Sequence, residues 1–589
     1  MAGPLLFYAF TRFARRGMYH FKGGDDPLGS PYGSLRMKGL KEERLAQLEE
    51  LYPTWEKKTV WNFFLATAKR VPDQDFIVTQ DEGTYTYEQT RQETLRVARA
   101  LMALGVRPGD HVAVQIGNSP IEVFIALALS AVRAVKVAVN AALGPKELGY
   151  ILSQSRSRFF LAGRPVKRSG VETALEGVVA LPGIGCETDI PVTAWADFLS
   201  AGEGAQLPES QGEQYADEIC DIIYTSGSTS APKGVLLTHD MLMRSAFASC
   251  INRGFERGRR VFVPLPMIHC YGYVEGLLAC ILVGGAVLFH SGKFRAQPAL
   301  QFMLQSGAND ILSVPSQMMA IIHYLEENPM ELPQLHAVYC SAAVCPAWVW
   351  PGIREALKIS DLITGYGMSE VCGASMQTRP TDSDDILRSR VGRLLQGGCA
   401  GAPEYGGCQL EYQVTDQQTG LPCKPGEPGE LWCRGLVVTK GYYERPEINA
   451  RAFTPDGWFR TGDCGYFDSE GYLVLCGRVD DMYKINGENV SPKFLEDVMG
   501  NCPLVNNAEV VGIRDDRHGY VGTAFIQLHE DTPEHRAGVE EYCREHLARF
   551  QMPKYFVYLK EGEWPCTSTG KIQKFRLRQM AEEMFGVPQ

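Results

Sequence analysis

The run IIYTSGSTSAPKGVLLTHD, Ile222 to Asp240, places the hydroxyls of Tyr224, Thr225, Ser226, Ser228, Thr229 and Ser230, with Gly227, Lys233 and Gly234, between two apolar segments. That composition suits a cradle for phosphate. Glycine lets backbone N–H groups approach an anion, hydroxyls donate hydrogen bonds, and a lysine adds a point charge at short range. The spacing is not the GxxxxGK[ST] loop, because Lys233 follows Pro232 and precedes Gly234. A polar turn would account for the serines and glycine but does not require the PKG after them.

Further along stand a carboxylate in GYGMSE (Glu370), another in FRTGD (Asp463), an arginine in GRVDD (Arg478) and a lysine near the C-terminus (Lys571). Taken singly, such residues pack, pair as strand-end ions or lie in solvent. Their surroundings in the sequence give them a different meaning below.

Positioning these residues requires a layered α/β scaffold. RQETLRVARALMALGV (Arg91 to Val106) has helical spacing, RPGD turns, and HVAVQIG reads as a buried strand. The helix IEVFIALALSAV and the strand KVAVN follow, and the alternation returns from Pro298 to Pro315 and near HAVYC. This predicts an α/β domain with largely parallel sheets. From Cys408 the texture becomes short alternating strands (CQLEYQVTD, GELWCRG, VVTKGYY, GWFRTGDCGYFDSEGYLVLCGR), which predicts an antiparallel β region. After Gly477, a further hundred or so residues read as a compact α+β unit.

With 589 residues the chain calls for more than one domain, and 45% apolar and 22% charged residues are ordinary for a globular protein. A formal charge of −11 leaves no basic footprint for nucleic acid, so an anionic ligand needs a local site. The 17 cysteines start at Cys186 and none has CxxC spacing. We read them as reduced thiols of a cytoplasmic protein rather than as a disulfide or metal framework. The start, with three arginines and no acid before Asp25, reads as an ordered N-terminal extension. Val123 to Leu143 carries Arg133 and Lys136, and Gly276 to Phe289 is too short, so no transmembrane span is expected.

The motifs together resemble the adenylate-forming superfamily, and most of all its AMP-forming acyl-CoA synthetases of the coumarate-CoA-ligase and fatty-acid-CoA-ligase types. YTSGSTSAPKG is followed in the family's order by PLPMIHCYG (Pro264 to Gly272), GYGMSE (Gly365 to Glu370), GYYERPE (Gly441 to Glu447), WFRTGD (Trp458 to Asp463), GRVDDMYKINGENVSP (Gly477 to Pro492) and PCTSTGK (Pro565 to Lys571). The resemblance begins near Thr84 and implies an extension over residues 1–80, a large domain over 81–478, a hinge at 479–481 and a small mobile α+β domain over 482–589.

It also implies roles. Thr225, Ser226, Gly227, Ser228, Thr229 and Lys233 would hold the ATP phosphates, and Glu370 with Thr225 would hold Mg²⁺. Tyr366 would stack on adenine within the segment formed by Gly365, Gly367, Met368 and Ser369, with Ser341, Ala342 and Ala343 alongside. Asp463 would accept hydrogen bonds from the ribose hydroxyls, and Arg478 would hold ribose or phosphate. Lys571 would neutralise charge as a substrate carboxylate attacks the α-phosphate. After rotation at Asp480, the KINGENVSP loop with Lys484 and Gly487 would take its place for attack of a thiol on the acyl carbonyl.

His269, Tyr271, Gly272 and Gly365 would wall the acyl pocket, where His269 either gates or is a satisfied core histidine. Amino-acid-activating relatives carry an aspartate just past this motif. Here Cys270, Tyr271 and Gly272 stand instead, which points to an aliphatic or aryl carboxylic acid without an α-amino group. The chain ends eighteen residues after Lys571, so the acceptor arrives separately, as coenzyme A or as a carrier-protein thiol. A non-catalytic binder of the same fold is the remaining reading; Lys571, Asp463 and Glu370, whose loss it would need, are present. The departures from the family pattern are Ser230 where a third loop glycine is usual, Ser341 in place of a glycine, and VGRLLQGG (Val391 to Gly398) without prolines.

Overall fold

The computed structural model describes residues 42–167, 175–209, 212–225, 232–290, 292–343, 345–485, 488–515, 517–566 and 572–585. Two seven-stranded sheets form the large domain. One runs in the order Val192–Ala194, Gly177–Ala180, Phe159–Ala162, His111–Gln115, Val135–Ala138, Ile219–Thr225 and Lys233–Thr238. It is parallel except for the last pair, whose hairpin sets Thr225 opposite Lys233. The other runs Asp361–Ile363, Ala337–Cys340, Asp310–Ser313, Arg260–Phe262, Ala286–Phe289, Asp75–Thr79 and Thr84–Thr86. The central strands are buried along their whole length because helices cover both faces, and the one charge among Val135–Ala138, Phe159–Ala162 and Ala286–Phe289, Lys136, is paired with Asp221 at 3.0 Å.

The helices begin where the sequence provides caps. Thr86 and Gln89 make a capping box at the start of Tyr87–Leu104, which ends at Gly105 in the left-handed region (φ 97°). Ser119 caps Pro120–Ala131, whose proline occupies the first turn, where no N–H is required. A single core runs between the two sheets and continues under the antiparallel region, joining Val114, Ile223, Val263, Leu312, Leu431 and Cys433.

That core also takes in Leu45, Leu48, Val60 and Phe64. Residues 42–80, assigned to an extension by the sequence, therefore supply the helices Glu42–Leu51 and Val60–Arg70 and the strand Asp75–Thr79 to the large domain. The physical reason is the apolar face of Val60–Arg70, which buries Trp61, Phe63 and Phe64.

Leu410–Thr415, Gly429–Gly435, Phe459–Phe467 and Leu473–Arg478 make the expected four-stranded antiparallel sheet. VVTKGYY is not one of its strands. Gly435 (φ 156°) and Gly441 (φ 122°) bend the chain away, and it crosses instead to the edge strand Lys233–Thr238. The small domain has a five-stranded sheet with the helices Pro492–Gly500, Pro533–His546 and Lys574–Phe585 around two cores of its own. It adjoins the large domain through the Ser491 hydroxyl, which donates to the Cys476 carbonyl at 2.5 Å, and through Trp348 and His529, whose rings lie 6.0 Å apart.

Candidate active site

Thr225 ends one strand of the hairpin and Lys233 begins the other. Ser226, Gly227, Ser228, Thr229 and Ser230, between them, lie outside the described residues, as do Gly487 and Lys571.

Gly365–Met368 is a short strand paired with Gly373–Gln377, so close that a Cβ on Gly367 would lie 1.8 Å from the Gly373 carbonyl oxygen. Only glycine fits there. The strand exposes its own edge and carries Tyr366, a buried ring whose hydroxyl donates to Asp463 Oδ2 at 2.7 Å. Arg478 Nη1 donates to Asp463 Oδ1 at 2.9 Å. The two meet because Asp463 and Arg478 are register partners on neighbouring antiparallel strands. Asp463 thus presents an oriented acceptor, and Arg478 stands at the last residue before the Val479–Asp481 turn that contains Asp480. Lys484 is exposed on the following strand.

Ser369 and Glu370 follow in a helical turn. Glu370 Oε1 accepts from the Tyr442 hydroxyl at 2.8 Å; burial pushes the Glu370 carboxyl above the usual carboxylate range, and the Tyr442 hydrogen bond opposes this. The Lys233 ammonium lies 5.4 Å from the centre of the same Tyr442 ring. A half-buried carboxylate that shares Tyr442 with the Lys233 ammonium is a hard oxygen donor suited to Mg²⁺ with phosphates.

Ser341 donates to the Gly365 carbonyl at 2.8 Å, and Ala342 follows with φ 73°, a left-handed conformation that costs a non-glycine residue energy. Tyr271 donates to the carbonyls of Ser313 at 3.0 Å and Tyr339 at 2.7 Å, which pins its ring across the ends of two parallel strands. Gly272 lies against the Pro266 carbonyl, 2.9 Å from where a Cβ would be. His269 precedes this turn. Its Nε2 is buried with no hydrogen-bond partner among the described residues, and burial pushes its pKa down. Burial thus favours the neutral imidazole.

The sequence reading passed over two groups. Tyr442 lay inside a quoted motif without a role, because its contacts come from residues about seventy and two hundred positions away. Glu275 lies three residues past Gly272, yet it is fully buried and accepts from Ala374 N at 3.1 Å and from the Ser249 hydroxyl. Its carboxylate is committed to the core and is not free to meet a substrate ammonium.

With this geometry in hand, the chain is placed by its matches. Residues 64–443 match the model for the AMP-binding enzyme family, and residues 495–571 that for the AMP-binding enzyme C-terminal domain. The chain belongs to that family of adenylate-forming enzymes. Among its relatives are YngI of Bacillus subtilis, 29% identical over 90% of this chain and 98% of that protein, and the mitochondrial medium-chain acyl-CoA ligase ACSF2 of Rattus norvegicus, 28% identical over 89% and 88%. The fold is that of the anthranilate CoA ligase AuaEII, solved in complex with anthranoyl-AMP, with a TM-score of 0.78 at 24% identity over 92% of this chain and all of that one.

Proposed function

We propose that this protein uses ATP and Mg²⁺ to convert a carboxylic acid without an α-amino group into acyl-AMP and pyrophosphate. Coenzyme A then attacks the acyl carbonyl and AMP leaves. The observation that carries this reading is the coupled set Tyr366, Asp463 and Arg478 at one end and Glu370 and Lys233 at the other, joined by the six-residue stretch Gly365 to Glu370. The first set offers acceptors and a cation for a ribose, the second a metal ligand and a cation for phosphates. Glu370 and Thr225 would hold Mg²⁺, which supplies charge neutralisation as pyrophosphate departs.

In this reading His269 Nε2 and the Ser341–Ala343 backbone line the approach to the reacting carboxylate, and Tyr271 closes the acyl side. The commitment of Glu275 to the core supports an aliphatic or aryl acid, and the ACSF2 relative is named as a medium-chain acyl-CoA ligase. Residues 479–481 would be the hinge between half-reactions, with Lys571 acting in the first and Lys484 and Gly487 in the second. All 17 cysteines are free thiols, which suits a cytoplasmic setting.

The test is pyrophosphate release across a panel of aliphatic and aryl acids with ATP and Mg²⁺, followed by addition of coenzyme A. Acyl-CoA and AMP should appear together. Pyrophosphate without acyl-CoA, but with loading of a supplied phosphopantetheinyl carrier protein, would transfer the second step to a carrier, and silence across the whole panel would refute catalysis.

A further inference from the structure

The segment Thr439 to Tyr443 touches both halves of the phosphate end. Its Thr439 N–H donates to the Glu370 carbonyl at 2.8 Å, and its Thr439 hydroxyl to the Leu236 carbonyl at 2.8 Å. Leu236 N–H donates to the Gly441 carbonyl at 3.0 Å and Tyr443 N–H to the Gly234 carbonyl at 2.8 Å, so the segment extends the Lys233–Thr238 strand edge. Asn449 then clamps the Tyr442 backbone on both sides: its side chain accepts from the N–H at 2.8 Å and donates to the carbonyl at 2.9 Å. Gly441 makes room for that clamp, since a Cβ there would lie 3.2 Å from the Asn449 amide.

We propose that Tyr442 is a positioning residue that sets the Glu370 carboxylate and the Lys233 ammonium relative to one another for a metal–triphosphate ligand. The inference rests on the reading of Glu370 as the metal ligand. The tyrosine hydroxyl fixes one carboxylate oxygen and so fixes the direction of the other. Its ring lies beneath the ammonium, which a π face attracts at this distance. The tyrosine needs no contact with nucleotide to do this, because it acts through two residues that would contact it. Held by backbone pairing and by Asn449, the ring cannot follow either partner if that partner moves.

The test compares binding of Mg·ATP with binding of metal-free AMP by calorimetry, using the full chain without acid or thiol. AMP lacks the phosphates that Glu370 and Lys233 would serve, so it reports the integrity of the Tyr366–Asp463 end. Tyr442→Phe should weaken Mg·ATP about tenfold, the factor associated with one hydrogen bond to a charged group, and change AMP binding less than twofold. Tyr442→Leu, which also removes the ring, should weaken Mg·ATP further with AMP still held. Equal losses for both nucleotides would reduce Tyr442 to general packing and overturn the proposal, as would unchanged Mg·ATP binding in Tyr442→Phe. Wild-type protein that binds AMP but gains nothing from Mg·ATP would overturn both this inference and the metal role of Glu370. A silent acid panel with normal Mg·ATP binding would sink the proposed function alone.

Discussion

Glu122 lies in the first turn of the helix Pro120–Ala131, 4% exposed, with one carboxylate oxygen buried and unpartnered among the described residues. Burial pushes its carboxyl up to about 7, against the opposing pull of the Lys136 ammonium. In the unfolded chain the same group titrates near 4.5. Because the folded value is the higher one, the native state holds its proton more tightly. The stabilisation linked to that proton is complete below about pH 4.5 and is lost as pH rises through 7. The gap of about 2.5 units corresponds to about 3 kcal/mol above the folded value.

Glu122→Gln keeps the shape of the neutral acid and cannot ionise. It should match the wild type near pH 4 and exceed it by about 3 kcal/mol from about pH 7 upward. For a folding unit of roughly 400 residues, unfolding entropy converts this into a melting temperature higher by about 3–4 °C. Scanning calorimetry of both proteins at pH 4, 5.5 and 8 checks it. Parallel pH profiles, or a glutamine variant that is weaker at every pH, would show that Glu122 is not ionising in a dry environment.

Asp463→Asn removes a charge from a carboxylate that accepts from both Tyr366 and Arg478, and charge-assisted bonds of this kind are each worth about 1.5–3 kcal/mol. AMP binding measured by calorimetry should fall about 30- to 100-fold, and a change below threefold would remove Asp463 from the nucleotide site. Lys571→Ala should abolish ATP–pyrophosphate exchange and spare thiolysis of supplied acyl-AMP; loss of both steps would refute a division of labour between two conformations. Ser230→Gly should keep or raise the rate of pyrophosphate release, and a large fall would give the serine hydroxyl a role of its own.

The fold class was legible because parallel strands buried on both faces are mostly apolar, as FFLA (Phe159–Ala162) and AVLF (Ala286–Phe289) are. The antiparallel region was legible from its glycine-punctuated alternation. The boundary at residue 80 was not, since Trp61, Phe63 and Phe64 join the core through partners far away in the chain. Nor was the departure of VVTKGYY from its neighbours, where two positive-φ glycines override a strand-like composition.

For the site, the sequence by itself determined which residue types stand in which order: hydroxyls and Lys233 in one short run, Glu370 four residues after Tyr366, Asp463 and Arg478 fifteen apart. Those are local facts, set by turns and by strand register. The tertiary structure alone decided that Tyr442 would lie between Glu370 and Lys233, that Glu275 would be spent inside the core, and that His269 Nε2 would have no partner among the described residues. Each depends on which strand edges meet, and that is fixed by packing two sheets on one core rather than by any short run of residues.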